Sequence, residues 1–88
     1  MEIYVVTYDL HGNGKDYSGL IKELESFRVY LHVLESSWLV QAVSAQSIFD
    51  AIRPHLDSNA EVLIIKTDKD YLAYLDEESL KWLRGVIG

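Results

Sequence analysis

The first strong pattern along the chain is Ile3-Tyr4-Val5-Val6-Thr7-Tyr8-Asp9. Side chains alternate with period 2 on a strand, so Ile3, Val5 and Thr7 share one side and Tyr4, Val6 and Tyr8 the other. Both sides are largely apolar, which predicts a central strand covered on two faces. The polar, glycine-rich stretch Leu10-His11-Gly12-Asn13-Gly14-Lys15-Asp16 follows and reads as a loop. The period then changes to that of a helix. Tyr17, Leu20, Ile21, Leu24 and Phe27 recur at the i, i+3, i+4, i+7 intervals of one buried stripe, with Asp16 or Ser18 as the expected N-cap.

Strand alternation returns from Val29 to Glu35, with Val29, Leu31 and Val33 on one side and Tyr30, His32 and Leu34 on the other. Ser36-Ser37 predicts a turn and Trp38-Leu39-Val40-Gln41-Ala42-Val43 a third strand. So short a connection makes the pair an antiparallel hairpin. Ser44 is the expected cap of a second helix with Ile48, Phe49, Ile52 and Leu56 on its stripe. Pro54 removes a helical hydrogen bond, so that helix should stop or kink near Arg53. Asp57-Ser58-Asn59-Ala60 predicts a turn and Glu61–Thr67 a strand that is apolar on both sides. Asp68–Leu75 fits neither period. Asp76-Glu77-Glu78-Ser79 opens a last helix, with acids at the positive end of its dipole. Its stripe is Leu80, Leu83 and Ile87, flanked by Trp82 and Val86, and Gly85 or Gly88 marks its end.

The element order is therefore β-α-β-β-α-β with an additional C-terminal helix. This predicts an α+β, ferredoxin-like sandwich in a single domain spanning residues 1–88, with two right-handed crossovers placing both early helices on one face of the sheet. The other face then needs a cover: the last helix, a second copy of the chain, or both. Tyr4, Val6, Tyr8 and Trp82 are the candidates for a homodimer interface.

Composition narrows the class. At 49% hydrophobic and 25% charged residues, the chain is globular rather than disordered. A domain of this length buries only about 60% of its unfolded surface, so burial against a second subunit would help it. The absence of cysteine excludes disulfides and thiolate metal sites. Met1-Glu2-Ile3 has no positive n-region and no apolar run long enough for a leader or membrane helix, so a soluble, cytoplasmic protein is expected. The net charge is −6, and the bases are dispersed, which disfavours a phosphate-binding surface. The acids concentrate at Asp68, Asp70, Asp76, Glu77 and Glu78. They read first as a solubilising surface, and in a sharper version as an inhibitor's contact with a basic nucleic-acid-processing protein.

Candidate chemistry is sparse. Asp9, at the end of the first strand, and His11 could together ligate a divalent ion such as magnesium or manganese. Metal-assisted phosphodiester cleavage needs several converging carboxylates, for which Asp16 and Asp57 are the available neighbours. The structural alternative is that Asp9 accepts amide hydrogen bonds and holds the turn. Gly12-Asn13-Gly14-Lys15 lacks the spacing of a P-loop. His32 reads as a packed or interface histidine and His55 as exposed. Ser36 and Ser37 have no nucleophile pattern around them. Trp38, Trp82, Tyr71 and Tyr74 could stack on bases, but without interleaved Lys or Arg they read as core or interface.

Four pieces of the chain are similar to one family. They are Tyr4-Val5-Val6-Thr7-Tyr8-Asp9-Leu10; Gly14-Lys15-Asp16-Tyr17; Leu34-Glu35-Ser36-Ser37-Trp38-Leu39-Val40; and Leu56-Asp57-Ser58-Asn59. In order and spacing they resemble the SinR-like branch of the CRISPR-associated protein 2 superfamily over nearly the whole chain. The resemblance implies a ferredoxin-like homodimer, which in the CRISPR proteins bridges integrase subunits. It also implies that Asp9 would stand where some members carry the metal-binding acid of a nuclease, and the related virulence-associated protein D is a ribonuclease toxin. The function expected is that of a small homodimeric interaction or scaffold protein without catalysis. A metal-dependent endonuclease acting on RNA or DNA through Asp9 is the alternative, and magnesium or manganese is the only cofactor implied.

Overall fold

The computed structural model describes residues 1–10 and 17–87. Its elements are β1 (Glu2–Asp9), α1 (Ser18–Glu25), β2 (Tyr30–Leu34), β3 (Ser37–Ala42), α2 (Ala45–Ile52), a short 3-10 turn (Arg53–His55), β4 (Glu61–Lys66) and α3 (Glu77–Val86). The strands form one sheet in the order β2-β3-β1-β4, and every neighbouring pair is antiparallel. This is a small α+β protein, consistent with the ferredoxin-like class the sequence predicts. No helix among the described residues is long and apolar enough to cross a membrane.

β1 is a central strand, flanked by β3 and β4, as its two apolar sides require. Tyr4, Val6 and Tyr8 pack with Trp38, Val40 and Ala42 of β3 beneath Leu20 and Leu24 of α1 and Ile48 and Ile52 of α2. This corrects the reading of Tyr4, Val6 and Tyr8 as interface residues. All three are buried in the core, because the side of β1 that carries them is the one α1 and α2 cover. The opposite side carries Ile3 and Leu39, which join Leu83 of α3 in a second cluster. Trp82 is half-buried against that second cluster. The last helix therefore supplies part of the cover that the second face needs.

Local chemistry explains most of the boundaries. Ser44 caps α2 as expected. Its hydroxyl accepts from the Ser47 amide at 3.1 Å, and the Ser47 hydroxyl reaches back to the Ser44 amide. Reciprocal contacts of this kind satisfy two amides that the helix itself leaves open. Pro54 sits inside the 3-10 turn that ends α2. Asp76 caps α3 by accepting from the Ser79 amide at 2.7 Å. That bond, followed by a contact with the Ser79 side chain, holds the Asp76 carboxyl below its ordinary value of 3.8.

Three boundaries differ from the sequence reading. Tyr17, not Ser18, is the N-cap of α1 and makes no side-chain cap bond; its hydroxyl instead donates to the Leu10 carbonyl at 3.2 Å. The alternative cap, Asp16, lies outside the described residues. The hairpin turns at Glu35-Ser36, and Ser37 is already in β3. Ser37 is drawn into the sheet by pairing with Thr7 and Leu34, and its hydroxyl donates to Thr7 Oγ1 at 3.1 Å. The tight turn is accompanied by a register shift between His32 and Leu34, where one strand gains a residue over its partner. Finally, Gly85 does not end α3 but lies within it, and Gly88 is outside the described residues.

Candidate functional site

The site expected from sequence is the end of β1. Because Tyr8 points under the helices, Asp9 falls on the opposite side of the sheet, the side of α3. β4 runs antiparallel to β1, so its first residue lies against the last residue of β1, and Asp9 pairs with Glu61. Directly opposed residues on one face hold their Cβ atoms about 4.5–5.5 Å apart. Two carboxylates therefore share the strand end, and both are exposed. They flank an open hollow of about 420 Å³ lined also by Thr7, Tyr8, Ser36 and Leu63.

The hollow has a firm floor. Thr7 and Ser37 are joined through their hydroxyls at 3.1 Å. The Tyr8 amide donates to the Ser36 carbonyl at 3.1 Å. Tyr8 itself accepts from Trp38 Nε1 at 3.3 Å on the buried side. The tip of β1 is thus fixed on both faces, and Asp9 is presented from a rigid strand rather than from a loop.

The expected neighbours of Asp9 divide. Asp57 lies elsewhere, against Phe49, Arg53 and Leu56 in a separate hollow. One of its carboxylate oxygens accepts from the Asn59 amide at 3.0 Å, so it organises its own turn. His11, Lys15 and Asp16 lie outside the described residues. Among the described residues no three His, Asp or Glu side chains converge as a metal-binding group. Asp9 and Glu61 could supply two oxygen ligands to magnesium or manganese, ions that retain several waters or further oxygens in their shell.

Sequence reasoning passed over Glu61. The signal for it was present, since in the β-α-β-β-α-β order the last strand runs antiparallel beside the first, which sets its start against the other's end.

The aromatic residues resolve mainly into packing. Trp38 is fully buried. His32, though exposed, stacks on it, and His32 Nε2–H donates to the Glu35 carbonyl at 3.0 Å. His55 is exposed as expected, with Nε2–H directed at Glu23 Oε1 at 3.2 Å. Tyr74 is almost wholly exposed and Tyr71 partly so.

The α3 side of the sheet also carries a groove of about 430 Å³ lined by Val5, Val33, Leu39, Ala73, Leu75 and Leu83, among others. Beside it, Leu63 and Ile65 of β4 remain about half exposed, and Leu34 rather more so. No family model, curated protein or solved structure matches the chain.

Proposed function

We propose that this protein is a small homodimeric interaction module without catalysis, of the ferredoxin-like kind that the CRISPR-associated protein 2 superfamily uses as a scaffold. The sheet order β2-β3-β1-β4 supports the ferredoxin-like reading, since it is what two split crossovers generate. The observation that carries the proposal is the incomplete cover of the α3 side. Leu34 at the β2 edge and Leu63 and Ile65 on β4 each expose more than half of their surface there, and large apolar side chains left exposed beside an apolar groove mark an association site. Multi-angle light scattering at micromolar concentration tests it. A mass of twice the chain is expected, and a stable monomer overturns the proposal.

The second reading, a metal-dependent nuclease, is favoured by the pairing of Asp9 with Glu61 at the strand end. In that reading the two carboxylates hold magnesium or manganese, and the ion supplies the Lewis acid for phosphodiester hydrolysis. Cleavage of RNA or DNA that requires the ion and is lost in both Asp9→Asn and Glu61→Gln would establish it. Cleavage that persists in Asp9→Asn would remove it.

A further inference from the structure

The sheet separates two apolar clusters that are held with unequal grip. On the side of α1 and α2, Trp38, Leu20, Leu24, Ile48 and Ile52 are all fully buried in one cluster. On the other side, Ile3 and Leu39 meet the cover formed by residues 68–87. Among the described residues of that cover, Leu83 is the one apolar side chain that is buried, and Ala73, Leu75, Trp82 and Ile87 beside it are only partly so. A groove of about 430 Å³ remains between Val5, Val33 and Leu39 of the sheet and Ala73, Leu75 and Leu83 of the cover. Atoms that face such a gap have no partner on one side and lose that share of their dispersion attraction.

The cover also keeps its hydrogen bonds to itself. The Asp70 amide donates to the Asp68 carboxylate at 3.2 Å, the Tyr71 amide donates to the Lys69 carbonyl at 3.1 Å, and α3 is capped from within by Asp76. Among the described residues, no hydrogen bond of 68–87 reaches the sheet. The last one that does is made by Thr67, whose amide and hydroxyl both donate to the Ile3 carbonyl. Residues 67–76 form neither helix nor strand, and among the described residues the chain does not rejoin the sheet after β4.

We propose that residues 68–87 are a hinged lid: pivoting just beyond Thr67, α3 and the stretch before it leave the sheet as one unit while the four strands, α1 and α2 stay folded. A segment held by few buried apolar contacts, with no backbone bonds to its neighbours, belongs to the low-stability end of a fold and opens below the free energy of global unfolding. The open form bares Ile3, Val5 and Leu39, so the lid governs access to the apolar floor of the groove.

Hydrogen exchange of the whole protein in rising urea, with wild type beside Ile48→Val, tests the lid. Ile48 lies in the cluster that the open form retains, and loss of one buried methyl group there should speed whole-fold opening by about 2- to 10-fold. In the wild type, the amides of Trp82, Leu83 and Arg84 should share one urea-dependent opening, with protection at least about tenfold below that of Val6 and Val40 in the central strands. Ile48→Val should accelerate exchange at Val6 and Val40 and leave the three α3 amides unchanged. Equal acceleration at all five positions would mean that α3 opens only with the whole fold. Exchange at the three α3 amides one by one, without urea dependence, would mean fraying. Either result overturns the lid.

Discussion

The imidazole of His32 lies flat on the indole of Trp38, with ring centroids 4.1 Å apart and planes 9° from parallel. Trp38 is completely buried although its strand neighbour β2 is at the sheet edge. His32 is therefore the lid on that side, and its Nε2–H bond to the Glu35 carbonyl fixes the ring in place. Replacing His32 with alanine should open the indole to water. The expected outcome is a red shift of the Trp38 fluorescence and a loss of roughly 0.5–1.5 kcal/mol in urea denaturation, the worth of one aromatic pair.

A second close approach involves Gly19 on α1. A Cβ added there would lie 2.7 Å from His55 Nδ1, too near for the ring to stay. Alanine favours a helix by about 0.5–1 kcal/mol over glycine, so Gly19→Ala should combine a helix gain with a displaced His55 and a broken Glu23 contact. In a His55→Ala background only the gain remains. A double-mutant cycle should therefore show Gly19→Ala to be more favourable in His55→Ala than in the wild type.

Gly85 gives the contrasting case. It lies inside α3, and a Cβ there meets nothing within 4 Å. Gly85→Ala should stabilise the protein by about 0.5 kcal/mol, at the low end of the glycine-to-alanine range because the helix ends at the next residue, Val86. A higher midpoint in thermal denaturation checks it.

The Asp76 cap predicts a pH dependence with a defined sign. Its carboxyl is depressed below 3.8 by the Ser79 amide, so the charged form is favoured in the folded state. That contribution is fully present above the unfolded value and disappears as pH falls through the folded one. Asp76→Ala should lower the melting temperature at neutral pH, and the difference from wild type should close in the acid range below about 3.8.

Charge sets the salt response of the proposed dimer. Two chains of net charge −6 repel, and raising ionic strength from about 0.1 M to about 1 M shortens the screening length from about 10 Å to about 3 Å. Sedimentation should show tighter association at the higher salt. An interface built on ion pairs would weaken instead.

Much of this fold is legible in the residue pattern, and the limits are physical. Ser44 announces its helix because a serine hydroxyl competes for a free amide within four residues, a local event. Pro54 does the same for the end of α2. The two apolar sides of β1 announce a central strand, but alternation by itself does not say which side meets α1 and α2. That depends on the chain crossovers at 10–29 and 43–60, and it is why Tyr4, Val6 and Tyr8 read as interface and proved to be core. The turn at Glu35-Ser36 was displaced for a similar reason, since Ser37 is held by Thr7, thirty residues away. At the candidate site Asp9 was visible as a strand-terminal acid, whereas Glu61 became its neighbour only through the pairing of the first strand with the last.

Thr67 bonds the Ile3 carbonyl twice, through its amide at 2.9 Å and its hydroxyl at 2.8 Å. This joint ties the residue just past β4 to the beginning of β1, and the unpaired stretch 71–75 starts a few residues beyond it. The joint marks a boundary in local stability. Hydrogen exchange at the Thr67 amide should require opening of the sheet as a whole, whereas amides without ladder partners exchange through small local fluctuations. The two regimes should meet within a few residues of chain, between the closed sheet and the unpaired stretch 71–75.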